Sequence, residues 1–522
     1  MSQDALYWSP RGGNNVQDGW GSCHKFTSEQ TNAETGKIEK DTIIVDLGQH
    51  ERPAMFGGGQ YDRVVPDLAD CLDVPNCPSV DEADKAKAIF LTHGHSDHIS
   101  GVFAYAMAGV KLPPVYGSEF TLNMVKKGFV ERGVPADKQP ELREIKAGQT
   151  VEIGNIKVRS MQASHSIPGA LSFKISNAST AIFHTGDTKG DESSYLQGGV
   201  NFADYAEIAK EGKIDLMTFD GTTAARKGHA TYESEIFDCY DELFAENRKH
   251  QMIVPLAAAH CERLATVIAA AAKNGKNVIL NGGPSMDTNL LGLQMSGIDL
   301  AKKFSNIAVV GAKNPLADKL NPKDTITITT GIYMEKDSPF VQYLQGKNNG
   351  FKFAKDAVII APLTTDKNEK MAFLMATSER AQGHTIITAA TRPKMYGSGH
   401  AQADDFRRIA GILKPRTVAP IHTRTPGADD FNKLAAEEGY GTFPRQVKNG
   451  EIVKVTNKEC ALVAQDRQQW FGVKIQGNTA DFTPIKDTSF KTAELKRQRD
   501  AYRAQQETQK RVCLAKLAGR SK

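Results

Sequence analysis

Short apolar runs recur along the chain in two textures. In the N-terminal part they are brief and β-rich, as in Thr42-Ile-Ile-Val-Asp46 and Ala88-Ile-Phe-Leu91, and Gly-rich stretches at 11–15 and 57–59 separate them. Further strands are predicted at 156–160, 171–175 and 180–184. From residue 216 onward, strand-length runs alternate with helix-length segments. Strands are predicted at 252–255, 277–280, 307–310, 325–329 and 357–361, with helices over 261–273 and after Gly282-Gly-Pro-Ser-Met286. Strands separated by helices predict a parallel α/β sheet. A last unit pairs a helix over 403–413, with Phe406, Ile409, Ala410 and Leu413 on one face, with a strand Thr417-Val-Ala-Pro-Ile421 that runs into His422. No repeat of solenoid length is present in the sequence.

The chain has 522 residues, which at about 150 per domain suggests three or so domains. Its 65 Lys and Arg against 61 Asp and Glu give a net +4, which excludes a uniformly basic protein. The charge is unevenly placed: residues 491–522 carry ten basic and three acidic side chains, so that stretch is +7 and the remainder −3. No apolar run approaches the ~18 residues of a membrane span. The start, MSQDALYWSPRGG, lacks the basic and apolar regions of a signal peptide, so a cytoplasmic protein is expected. The seven cysteines are scattered and include no C-x-x-C, which argues against a disulfide scaffold.

The 13 histidines change the picture. Strand 88–91 leads into Thr92-His-Gly-His-Ser-Asp-His98, where His93 and His95 are two apart and point to one side of an extended chain. Asp97 and His98 follow at the turn into a helix. Three imidazoles and a carboxylate in six residues suit a borderline divalent metal such as zinc. His165, Asp187 and His422 also lie beside predicted strands. Together these supply seven ligands: His93, His95 and His165 for one metal, Asp97, His98 and His422 for another, and Asp187 bridging. That set predicts a two-metal hydrolytic site, with two Zn2+ expected and Mn2+ or Mg2+ able to replace them.

In these motifs the chain resembles the β-CASP nucleases of the metallo-β-lactamase superfamily, and within them the ribonuclease J group, over residues 5–457. Leu216-Met-Thr-Phe-Asp-Gly-Thr-Thr223 is similar to the first β-CASP motif, with Asp220 as its acid. Gly397-Ser-Gly-His400-Ala is similar to the second, Pro420-Ile-His422 to the third, and Asn449-Gly-Glu-Ile-Val-Lys-Val455 to the strand that ends the catalytic part. The resemblance implies an α/β fold: a metallo-β-lactamase αββα sandwich over 1–215 and 386–458, an inserted Rossmann-like β-CASP domain over 216–385, and a short basic C-terminal extension over 459–522. It implies that Asp46 orients the histidine loop, that Asp97 is catalytic as well as a ligand, and that Asp220 and His400 help protonate the leaving oxygen. Three departures bear on substrate choice. Pro284 stands where the family carries an Arg, Tyr396 stands where it carries a His, and Thr-Arg-Thr-Pro-Gly follows His422. Ser285 and Ser398 remain as hydroxyl donors to a terminal phosphate.

The implied function is a zinc-dependent ribonuclease, endonucleolytic and/or 5′–3′ exonucleolytic, acting in RNA processing or decay. Its substrate would be single-stranded RNA lying between two α/β units. DNA as substrate and a homo-oligomeric state both stay open, and no membrane partner is expected. The alternatives are a β-CASP DNA nuclease and a catalytically silent RNA-binding subunit, the latter requiring degraded ligands. The basic tail could hold RNA or dock a partner, or be a solvated charged helix.

Overall fold

Alternation along the strand Ile38–Leu47 decides which way its side chains face. Ile43 and Val45 enter one hydrophobic core, while Ile44 and Leu47 enter another. A strand that feeds two cores must lie in a sheet covered on both faces. The computed structural model describes residues 4–14, 21–32, 34–50, 61–196, 198–335, 338–347, 353–364, 369–465 and 470–485. Within these the chain divides into two units. The first comprises residues up to Glu192, Gly199–Ala230 and the chain from Gly399, and the second comprises Ser193–Gly198 and Thr231–Ser398.

The first unit is an αββα sandwich. One sheet has eight strands in the order Cys460–Gln465, Glu451–Val455, Ala5–Gly12, Cys23–Thr31, Ile38–Leu47, Ala86–Phe90, Val115–Gly117 and Leu142–Glu144. The other has six, in the order Thr417–Ile421, Leu216–Asp220, Ala181–His184, Leu171–Ser176, Ile156–Gln162 and Thr150–Ile153. Their facing sides share a core of Trp8, Phe26, Val45 and Phe90 with Phe173, Ile182, Leu216 and Ile421. Helices Ser96–Met107 and Glu119–Glu131 cover the first sheet through Val102, Phe103, Val125 and Phe129. Phe202–Lys210, Ala403–Leu413 and Thr425–Glu437 cover the second through Tyr205, Phe406, Ile409 and Phe431.

The second unit is a parallel sheet in the order Val309–Gly311, Asn277–Asn281, Thr325–Thr330, Met252–Leu256, Val358–Ala361 and Thr385–Thr388. Helix Cys261–Lys273 starts and stops where its pattern predicts, and so does Ala403–Leu413 in the first unit. The strand expected from 307 begins only at Val309.

The domain limits differ from expectation at three places. Leu216–Asp220 is an inner strand of the first unit, parallel to both Ala181–His184 and Thr417–Ile421, so the chain leaves that unit after Ala230 rather than at 216. It returns at Gly399 rather than 386, because Thr385–Thr388 pairs with Val358–Ala361 in the second sheet. The chain after 458 is not a mere appendage: Cys460–Gln465 extends the eight-stranded sheet, and Trp470–Gln476 pairs with both Thr479–Ile485 and Arg63–Pro66. Residues 491–522, the basic tail, lie outside the described residues.

Candidate metal centre

Parallel strands deliver their carboxyl ends to one edge, and in the first unit these ends carry the chemistry. Asp46 sits near the end of Ile38–Leu47, and Thr92 and His93 follow Ala86–Phe90. Asp187, Asp220 and His422 are at or just beyond the ends of Ala181–His184, Leu216–Asp220 and Thr417–Ile421. Helix Ser96–Met107 begins on this edge and places Asp97 in its first turn, beside His98. His165 joins from the loop after Ile156–Gln162, and an antiparallel bridge between Ser164 and Lys189 ties that loop to the Asp187 loop.

The seven expected ligands converge. His95 Nδ1 lies 2.9 Å from His93 Nε2 and 3.2 Å from His165 Nε2. His422 Nε2 lies 3.2 Å from Asp97 Oδ2, which is 3.8 Å from His98 Nε2. Asp187 Oδ2 stands between the two groups, 3.4 Å from His98 Nε2, 3.8 Å from His165 Nε2 and 3.9 Å from His93 Nε2. Donor atoms about 2.0–2.1 Å from a tetrahedral ion are about 3.3 Å apart, so these separations match a coordination shell. His98 Nε2 and Asp187 Oδ1 are buried and make no hydrogen bond within the protein, although such groups are nearly always paired. The residues therefore fit metal ions.

The supporting contacts leave the inward nitrogens available. His98 Nδ1 is 2.7 Å from Asp46 Oδ2, His165 Nδ1 is 2.8 Å from the Gly399 carbonyl, and His422 Nδ1 is 2.9 Å from Thr222 Oγ1. His93 Nδ1 is 3.0 Å from Thr92 Oγ1. Each of these rings turns Nε2 inward. His95 is reversed, its Nε2 being 3.2 Å from Ser166 Oγ, which leaves Nδ1 facing the cluster. Holding one ring nitrogen fixes which one can bind a metal. Asp46 also accepts from the Thr92 backbone N–H at 2.7 Å and from its hydroxyl at 2.8 Å. Asp46 and His422 both have left-handed backbones, with φ of 59° and 53°, a conformation that costs on the order of 1–3 kcal/mol and that surrounding contacts must maintain.

Charge follows the same division. Burial comes first in lowering His93 and His165 far below the ordinary imidazole range, so both are neutral donors at pH 7. Burial works against ionising Asp187 and Asp97, but His422 and His98 around Asp187, and His98 and His422 around Asp97, hold both carboxyls below their ordinary range. His98 differs: burial works against its charge, but Asp187, Asp46 and Asp97 raise it well above the ordinary imidazole range, so metal binding there displaces its proton.

His400 and Asp220 adjoin the cluster without repeating its pattern. His400 Nδ1 is 2.8 Å from Asp220 Oδ2 and 3.8 Å from Asp187 Oδ2, and the His400 side chain is 21% exposed whereas Asp220 is fully buried. Asp220 also accepts from the backbone N–H groups of Thr188 and Thr222. Ser285 and Ser398 both belong to the second unit, Ser285 in the first turn of helix Gly283–Met295.

Four supporting side chains were not singled out in the sequence: Thr92, Ser166, Thr222 and Asp405. Asp405, fully buried, accepts from the backbone N–H groups of Gly190, Ala230 and Gln402, and so binds the Asp187 loop to the segment that carries His400. Only its helix-capping position could have marked it.

The beta-lactamase superfamily domain matches residues 65–247 of the chain. Ribonuclease J2 of Bacillus subtilis is 25% identical over 406 residues, covering 77% of this chain and 68% of that protein. A Ribonuclease J 2 of Staphylococcus aureus is 26% identical over 440 residues, covering 82% and 74%. A solved structure of a protein of unknown function from Enterococcus faecalis shares the fold, with a TM-score of 0.55 and 18% identity, covering 86% of this chain and all of that one.

Proposed function

We propose that this chain, a ribonuclease J-like hydrolase of the β-CASP group in the metallo-β-lactamase superfamily, is a two-zinc ribonuclease that cleaves RNA phosphodiester bonds. One observation carries the reading: Asp187 stands between His93, His98 and His165, with Asp97 and His422 completing a second group of donors beside them. A silent RNA-binding subunit would need a broken donor set, and all seven donors are present.

His93, His95 and His165 would hold one ion, Asp97, His98 and His422 the other, with Asp187 shared. Bound there, zinc supplies an acidified water as nucleophile and positive charge against the charge that builds on the phosphate. Asp97 orients the attacking water as a hydrogen-bond acceptor. His400, a partly exposed imidazole beside the cluster, would present its Nε2 to the departing 3′-oxygen and return a proton to it, while Asp220 holds Nδ1. Ser285 and Ser398 would offer hydroxyls to an RNA terminal phosphate. The loss of a cation at Pro284 weakens selection for a 5′-monophosphate. Manganese or magnesium could substitute for zinc. A cytoplasmic location fits an RNA substrate, and no helix among the described residues is long and apolar enough to cross a membrane.

The test is digestion of 5′-labelled single-stranded RNA bearing mono- or triphosphate, alongside DNA of the same sequence. Wild type is expected to cleave RNA, and Asp187→Ala to lose more than about 100-fold, beyond the cost of losing a ligand's supporting partner. Product lengths separate endonuclease from 5′–3′ exonuclease action. Equal cleavage by the variant would refute the mechanism, and preference for DNA would refute the substrate.

A further inference from the structure

We infer that Asn14 and Ser22, which follow strand Ala5–Gly12 and precede strand Cys23–Thr31, position the ligands of one metal and not those of the other, with Asn14 as the residue that holds His422. The inference rests on the two-metal reading above and concerns the Asp97, His98 and His422 group.

Asp97 and His422 face each other at 3.2 Å although 325 residues separate them in sequence. Each is tied at its backbone to one of these two residues. The Ser22 N–H donates to the Asp97 carbonyl at 2.8 Å, and the Ser22 carbonyl accepts from Gly48 at 2.9 Å. The approach is so close that a Cβ on Gly48 would lie 1.7 Å from the Asp97 carbonyl oxygen. Asn14 is fully buried. Its Oδ1 accepts from the His422 N–H at 3.3 Å, and its Nδ2 donates to the Val447 carbonyl at 3.0 Å. Asn14 and Asn449 bond reciprocally, the Asn14 N–H donating to Asn449 Oδ1 and Asn449 Nδ2 donating to the Asn14 carbonyl.

His422 is the one proposed ligand with a left-handed backbone, so its N–H points where an ordinary strand would not direct it, and Asn14 supplies an acceptor there. Thr222 fixes the imidazole and Asn14 fixes the main chain that carries it. The other group is held differently. His93 leans on Thr92, His95 on Ser166 and His165 on the Gly399 carbonyl, and none of these partners is Asn14 or Ser22. Losing Asn14 should therefore act on one metal site selectively.

The experiment is a titration of the metal-free full chain with zinc against a competing chromophoric chelator, for wild type, Asn14→Ala and Asn14→Asp. Wild type is expected to take two zinc ions. Asn14→Ala is expected to keep one site within about twofold and to weaken the other by about 10–100-fold, the usual cost of losing a ligand's supporting partner. Asn14→Asp keeps an acceptor for the His422 N–H but sets a second oxygen against the Val447 carbonyl, so it is expected to recover part of that loss. Val455→Ala, which removes buried methyls from the same sheet, controls for general destabilisation and should bind both ions as wild type does. If Asn14→Ala does not fold, Asn14→Ser gives the same reading with a smaller change. Equal weakening of both sites, or of neither, in a wild-type background of two would overturn this inference alone. A wild type that binds one zinc would overturn the two-metal reading, and this inference with it.

Discussion

A threonine hydroxyl has one proton, and Thr222 stands within 2.9 Å of both the Nδ1 and the carbonyl oxygen of His422. Donation to the carbonyl obliges the hydroxyl to accept from Nδ1–H, which turns Nε2 toward Asp97. This is how ordinary residues become part of a metal site, and why they escape notice in a sequence. His93, His95, Asp97 and His98 were legible because a dense local motif carries them. His165, Asp187 and His422 were legible because each abuts a predicted strand. Thr92, Thr222 and Asp405 act only through folding that brings distant segments together: the two threonines lie inside the sequence motifs as ordinary polar neighbours of the acids and histidines, and Asp405 had only its capping position in helix Ala403–Leu413. His400 allows a clean separation of proton transfer from metal binding. His400→Ala is expected to lower kcat by about 10²–10⁴-fold while zinc content stays at the wild-type level, measured by single-turnover cleavage and elemental analysis. Loss of zinc together with activity would instead place His400 among the ligands.

Elements were readable where a helix or strand declares itself locally. The apolar stripe of Ala403–Leu413 and the alanine-rich core face of Cys261–Lys273 specify helices without outside help. Strand membership was harder to read. Leu216–Asp220 could have opened the second unit by its own pattern, and only its pairing with Ala181–His184 and Thr417–Ile421 assigns it to the first. Trp470–Gln476 has the alternation of a strand, but its partner Arg63–Pro66 lies some four hundred residues earlier. Between the first two strands, Asp70 makes a cross-strand clasp: its Oδ2 is 2.5 Å from both Arg11 Nη2 and Lys25 Nζ. Burial favours its neutral form, but the two cations prevail and hold the carboxyl below its ordinary value. A carboxyl depressed on folding contributes fully above about pH 4, its unfolded value, and the contribution is lost as pH falls through the lower folded value. Asp70→Asn should therefore destabilise at pH 7 by about 2 kcal/mol, below the cost of a fully buried pair because Asp70 is 32% exposed. Urea unfolding at pH 7 and at pH 3 checks this, and the gap from wild type should narrow at the lower pH.

At the scale of the molecule, all seven proposed ligands belong to the first unit and none to the second. Metal that binds only the folded state stabilises it by about 2.7 kcal/mol per site at a free concentration a hundred times the dissociation constant. Calorimetry of the zinc-loaded chain with and without chelator should show the first unit's transition falling by several degrees and the second unit's staying in place. A chelator that shifts both transitions equally, or neither, would count against a metal centre confined to the first unit. The change of strand and helix texture along the chain announced a parallel α/β sheet from residue 216 onward, while the insertion itself was implied by the resemblance alone. Where the chain crosses between the two units was not legible, since that depends on which strands pair.

The placement of Ala5–Gly12 between Cys23–Thr31 and Glu451–Val455 has a consequence for synthesis. Cys23–Thr31 follows this strand almost at once, whereas Glu451–Val455 is made more than four hundred residues later. Ribosomes add about 5–20 residues per second, so the interval is on the order of half a minute or more. During that time the nascent first unit presents an unpaired backbone edge in what will become an inner position of its sheet, a surface on which other chains can add strands. The six strands of the second unit's sheet all lie between Met252 and Thr388, so that unit can close while the first is still open. The order of maturation is therefore inside out: the inserted part can mature first, and the part that flanks it in sequence waits for Glu451–Val455.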